Sequence, residues 1–295
     1  MSASLSTLPP SPTLGALVGA EVAKLASRSS VRLGLLAVAM IAVGVPLLAL
    51  LATQAVSATP PAGSDAPDPT ALSMPTVVGF VISLRGLFVF RATVLAVVAV
   101  SFAGEFVART LREDLVRPVS RATVLAAKWL ALQVYVAAGM LLPLVLAVPL
   151  AGVFFGGTEG FAVTLRSAAL QWVGDVGWAT LVMALSIGLR SVVGTVGGVF
   201  LVWVLEQLFV WAVWGIEQLR VVVDGVLKPM GLDQALKPIL DGLVALRPWM
   251  PSAAFGLTWP GTGETLVWQS YAAFVVITGA SYLAALTIFQ RIDVD

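Results

Sequence analysis

Arg91, Asp175 and Glu206 carry charge inside otherwise apolar stretches of the chain. In lipid such groups are expensive. They face a bundle interior or a wet cavity and pair with one another. The intervals Arg91 to Glu105, Asp175 to Arg190 and Ser191 to Glu206 are each about four helical turns, which sets all three charges about 21–23 Å from one charged boundary. They can therefore meet at one level. The spacing predicts that Arg91 pairs with Asp175, with Glu206 or with both. Such a layer has two readings: an ion pair that locks the second, fourth and fifth crossings, or the lining of a polar vestibule or gate.

Composition removes most other chemistry. With 0 cysteines and 0 histidines, the chain has no disulfide, no thiolate nucleophile, no imidazole base and no zinc set of the usual kind. It has no paired catalytic carboxylate motif and no Gly-x-x-x-x-Gly-Lys-Ser/Thr phosphate loop, so it reads as a non-enzyme. A net charge of +1 gives no electrostatic case for nucleic acid. The chain is 59% hydrophobic and 11% charged, against roughly 25% charged in soluble domains. Lipid must be the solvent for much of it.

The elements follow from apolar runs of about 20 residues, the length that crosses the hydrocarbon. The expected fold class is all-α: a polytopic integral membrane protein of six transmembrane helices, with an N-terminal amphipathic interfacial helix and a cytoplasmic coupling helix. Residues 1–13 read as a disordered tail and not a cleaved signal peptide, and 14–32 as the interfacial helix. The six-span domain is 33–295, with spans at 33–53, 82–104, 129–153, 167–189, 192–216 and 266–290. Between the first two, a Pro-rich stretch ending at Pro75 reads as a loop. Segment 105–128 is the coupling region. Segment 217–264 reads as an extracytoplasmic cap of short amphipathic helices. Basic residues concentrate at Lys24, Arg28, Arg32, Arg109 through Lys128, Arg190 and Arg291, whereas most acids fall in the opposite loops. The positive-inside rule then puts both termini in the cytoplasm.

Two charged segments border that inner face. In 14–32, Leu14, Leu17, Val18, Val22 and Leu25 share one helical face, and Glu21, Lys24 and Arg28 the other. In 104–131, Val107, Leu111 and Leu115 form an apolar stripe beside Arg109, Arg112, Glu113 and Asp114. Pro118 ends that helix, and Ser120 reads as the N-cap of the third span.

Glu105, Thr110-Leu111, Arg117-Pro118, Ser120-Arg121 and Lys128 resemble the cytoplasmic stretch of ABC-2-type transporter permeases. Glu21…Lys24-Leu25 and Phe289-Gln290-Arg291-x-Asp293 resemble that family's two ends. The chain departs at Ala108-Arg109, where the family has a small residue or Gly directly before the Thr. The resemblance implies a permease subunit of an ABC exporter, a multi-pass protein of the bacterial inner membrane. Two copies, as a homodimer, would each dock a cytoplasmic ATPase. ATP and Mg would bind that partner, with no cofactor on this chain. Glu105, Arg109, Thr110, Leu111, Arg112, Glu113, Asp114, Arg117, Pro118, Ser120 and Arg121 would form the coupling element, flanked by Glu21, Lys24 and Arg28. Two other functions are compatible with the sequence. One is an ATPase-coupled subunit that transmits force to an extracytoplasmic protein; the other is an ion-coupled carrier using Arg91, Asp175 and Glu206.

Overall fold

The computed structural model describes residues 12–58, 72–86, 90–110, 119–226 and 268–291, with isolated residues at 238, 241–242 and 245–246. Most of the tail, the heart of the 105–128 segment at 111–118, nearly all of 227–264 and the final residues 292–295 lie outside the described residues.

Among the described residues all regular structure is helical: α1 Leu14–Ser27, α2 Ser29–Ala58, α3 Met74–Leu84, α4 Phe90–Val98, α5 Gly104–Val107, α6 Arg121–Phe155, α7 Phe161–Leu189, α8 Val192–Val226 and α9 Trp268–Gln290. A π-helical segment, Ala99–Ala103, joins α4 to α5. Six stretches are long and apolar enough to cross a membrane: Ser29–Ala55, Phe90–Val107, Arg121–Phe155, Phe161–Leu189, Val192–Phe209 and Tyr271–Gln290. The burial pattern is that of a protein in lipid. Val193 is 82% exposed and Leu48 67%, while Arg85 is 0% and Asp175 1% exposed. In water that arrangement would be inverted.

Several boundaries differ from the sequence reading. The interfacial helix stops at Ser27, because Arg28 adopts an extended backbone, and Ser29–Arg32 belong to the span. Arg32 folds back, donating from Nε to the Ala26 carbonyl (3.1 Å) and from Nη2 to that of Ser27 (2.6 Å). These are carbonyls that a helix end leaves without intrahelical partners. Pro75 opens a helix rather than closing a loop. It sits in the first turn of α3, where a missing N–H is harmless and a fixed φ fits. The expected span over 82–104 takes in the end of α3 at Leu84, the π-helical Arg85 and Gly86, and α4 from Phe90, with 87–89 outside the described residues. At the other end of the cap segment, 217–226 continues α8.

The helices run back and forth between two ends. At the end holding α1, Arg121 Nη1 donates to the Gln290 carbonyl at 2.9 Å, tying the start of α6 to the close of α9. At the far end, Met74 N–H donates to the Gly156 carbonyl at 3.0 Å and Thr164 Oγ1 to that of Pro75 at 3.3 Å. Two apolar cores fill the interior: one around Phe90, Val97, Leu132 and Val182, the other around Val78, Val81, Met140 and Ala147. Gly139 on α6 lets the first close. A Cβ there would lie 1.9 Å from the Phe90 ring, so only glycine admits that ring.

Candidate functional site

At the α1 end, five charged side chains from three parts of the chain meet. Lys128 reaches inward from the second turn of α6, where it is buried with its neighbours Val124 and Leu125. Its Nζ donates to Glu21 Oε1 and Glu105 Oε2, both at 2.9 Å. Glu105, on α5, is buried too. Its other oxygen takes Lys24 Nζ at 2.5 Å and Arg28 Nη2 at 3.6 Å. Lys24 also lies 4.0 Å from Glu21, and Arg28 Nη1 donates to the Val100 carbonyl at 3.2 Å. Val100 lies in the π-helical segment, where the widened turn breaks the regular i to i−4 ladder. One lysine thus binds α1 to α5 and α6 through two carboxylates.

The charged face of α1 is therefore turned inward. Glu21, Lys24, Leu25 and Arg28 follow the spacing of one helical face, and that face packs on the spans. The opposite-face reading of Glu21, Lys24 and Arg28 is corrected accordingly. Leu14 is exposed and Leu25 buried. Beside the junction is a cleft of about 480 Å³, lined by Lys24, Arg28, Val100, Gly104, Glu105, Ala108 and Thr110. The chain leaves it through Arg109, whose φ of 56° is left-handed. Ser120 caps α6, its Oγ accepting from the Thr123 N–H at 3.1 Å.

The second cluster lies deep in the bundle. Arg85 Nη2 donates to Asp175 Oδ2 at 2.6 Å. The Arg85 guanidinium also lies 4.5 Å from the centre of the Phe90 ring, which itself stacks on Tyr135 at 5.7 Å. Arg91 sits over Trp178 at 5.7 Å. It feels the charges of Asp175 and Glu206 as attraction and that of Arg85 as repulsion. The sequence spacing points to Arg91 as the partner of Asp175, of Glu206 or of both. Asp175, however, makes its direct contact with Arg85, which the sequence shows only as an interruption of an apolar run.

A family model described as "ABC-2 family transporter protein" matches residues 17–209 of the 295. The chain belongs to the ABC-2 transporter family. It is a transmembrane permease-type subunit, and the match runs from α1 through both charge clusters into α8. No curated protein matches the chain.

Family membership gives the α1-end cluster its context. Glu105, Arg109, Thr110, Ser120 and Arg121 border the gap at 111–118. Leu111, Arg112, Glu113, Asp114, Arg117 and Pro118 lie within it, outside the described residues. The family's small residue before the Thr corresponds to Arg109, and the left-handed backbone there is one that glycine adopts without penalty. Lys128 and Arg85 are the two central residues that motif reading undervalued. For Lys128 the signal was a cation with no nearby acid in its own sequence, two turns into an apolar helix. For Arg85 it was a guanidinium in an apolar run, as readable as Arg91.

Proposed function

We propose that this chain is the permease subunit of an ATP-driven exporter, which docks a separate cytoplasmic ATPase and converts its closure into movement of the spans. The observation that carries this reading is the five-residue junction beside segment 105–120. Glu105 closes the second crossing, Lys128 opens the third, and Glu21, Lys24 and Arg28 hold α1 against both. A push on 105–120 would reach three elements at once. The excess of basic residues at this end supports a cytoplasmic placement, with both termini inside. The α8 face with Val193, Phe200 and Trp211 exposed suits lipid or a second copy of the chain, as a homodimer requires. ATP and Mg would bind the ATPase.

The test is co-purification with a co-expressed ABC-type ATPase subunit from the same organism. Reversing Arg112 and Glu113 together (Arg112→Glu, Glu113→Arg) should abolish the complex while the permease stays monodisperse. An intact complex would overturn the docking assignment. One observation favours a second reading: the deep charge set of Arg85, Arg91, Asp175 and Glu206 is what an ion-coupled carrier would need. Transport into vesicles driven by a proton gradient, with no ATPase added, would favour that carrier.

A further inference from the structure

The Arg85–Asp175 pair has more hydrogen-bonding capacity than the protein uses. Both side chains are fully enclosed, yet they meet through a single end-on bond rather than a two-pronged one. Asp175 Oδ1, Arg85 Nε and Arg85 Nη1 are buried without a hydrogen-bond partner. In a low-dielectric interior an ion pair is tolerated only when its remaining lone pairs and protons are also satisfied, and an unsatisfied buried polar atom calls for a bound group. Asp175 Oδ1 sits beside the guanidinium across this contact, and because Nε and Nη1 aim their protons to different sides, one small group can meet Oδ1 and one of the two.

The local charge says what kind of group fits. Arg85 pairs with Asp175, and Asp175 and Glu206 both attract Arg91, so two cations face two carboxylates. An ion would break that balance; a neutral dipole would not. The group must donate to Asp175 Oδ1 and accept from the Arg85 guanidinium. The Phe90 ring closes one side of the guanidinium and is itself seated against Gly139, so the group is small. We propose that Arg85 and Asp175 hold a bound water molecule in the membrane interior, sealed from bulk solvent under Phe90. Internal waters of this kind make two to four hydrogen bonds to buried polar atoms, and Asp175 Oδ1 with one guanidinium N–H supplies two. This goes beyond the exporter reading and stands whether or not an ATPase drives the chain.

Phe90 and Phe289 provide an internal control, because the rings are 0% and 1% exposed and only Phe90 touches the ion pair. X-ray radiolysis generates hydroxyl radicals from bound water in place, whereas peroxide photolysis generates them only in bulk. In the purified, folded chain, radiolysis should oxidise Phe90 several-fold faster than Phe289, and peroxide photolysis should spare both. In Arg85→Met/Asp175→Leu, the radiolytic rate at Phe90 should fall to that of Phe289. Should that variant not fold, the native pair of rings decides alone. Equal protection of the two rings under radiolysis overturns the proposal. So does oxidation of Phe90 by peroxide photolysis, which would mean that the ring opens to bulk solvent.

Discussion

The two charge clusters use the same side-chain types and satisfy them differently. At the α1 end Glu105 spends both oxygens, one on Lys128 and one on Lys24 and Arg28. Lys128 has two carboxylates, and Glu21 has two lysines. In the deep cluster Asp175 and Arg85 share one bond. A network shared among several helix elements resists the loss of any member. A pair joined by one bond depends on its partner, and removing both members leaves one cation, Arg91, and one carboxylate, Glu206, so it can be replaced as a unit. The first arrangement suits a joint, and the second suits a site.

Paired apolar replacements would sharpen that contrast most. Removing one member of a buried pair costs about 3–5 kcal/mol, while replacing both by apolar residues is often neutral. Arg85→Met alone should lose that much in equilibrium unfolding by SDS, and Arg85→Met/Asp175→Leu should recover to within about 1 kcal/mol of the native chain. At the α1 end Lys128→Met should cost a similar about 3–5 kcal/mol. There Lys128→Met/Glu105→Leu should not recover, because Glu21, Lys24 and Arg28 lose partners. Recovery of both double variants would erase the distinction between joint and site.

Smaller effects test the surroundings. Gly139→Ala forces the Phe90 ring aside and should cost about 1–3 kcal/mol, read as a lower melting temperature in detergent. Lys24 is 38% exposed at its side chain. Lys24→Ala should therefore cost no more than about 1 kcal/mol, a loss that shrinks as salt rises. Arg109→Gly relieves a left-handed backbone and should raise stability by about 1 kcal/mol. A loss there would mean that the Arg109 side chain holds the segment in place.

Much of this was legible in the sequence, for reasons that also explain the failures. Long apolar runs betray spans because every backbone polar group in lipid must be satisfied within a helix. The short turn at Arg190 and Ser191 was visible as a break between two such runs, and Arg190 closes α7 in a left-handed conformation. Ser120 was readable as a cap because its chemistry is local. The pairing of Asp175 was not legible. Helical rise places Arg91 at the right depth but says nothing of rotation about the axis, and the π-helical residues at Arg85 and Ala99–Ala103 shift that rotation. The inward turn of Glu21, Lys24 and Arg28 was open to a stricter reading of spacing: at 3.6 residues per turn they lie on the side of Leu17, Val18 and Leu25, so the charged and apolar residues pack inward together.

Helix α6 runs unbroken through 35 residues, about 52 Å at 1.5 Å per residue, against about 30 Å of hydrocarbon. It therefore projects beyond the bilayer as a crossbar, with Lys128 near one tip and Gly156 beyond the other. A tilt of about 5° about Lys128 would swing the Phe155 end by about 3.5 Å over the roughly 40 Å between them. Because Gly156 holds the first residue of α3 by a backbone bond, a small rotation set at the charged joint would be delivered, magnified, to the far rim of the bundle.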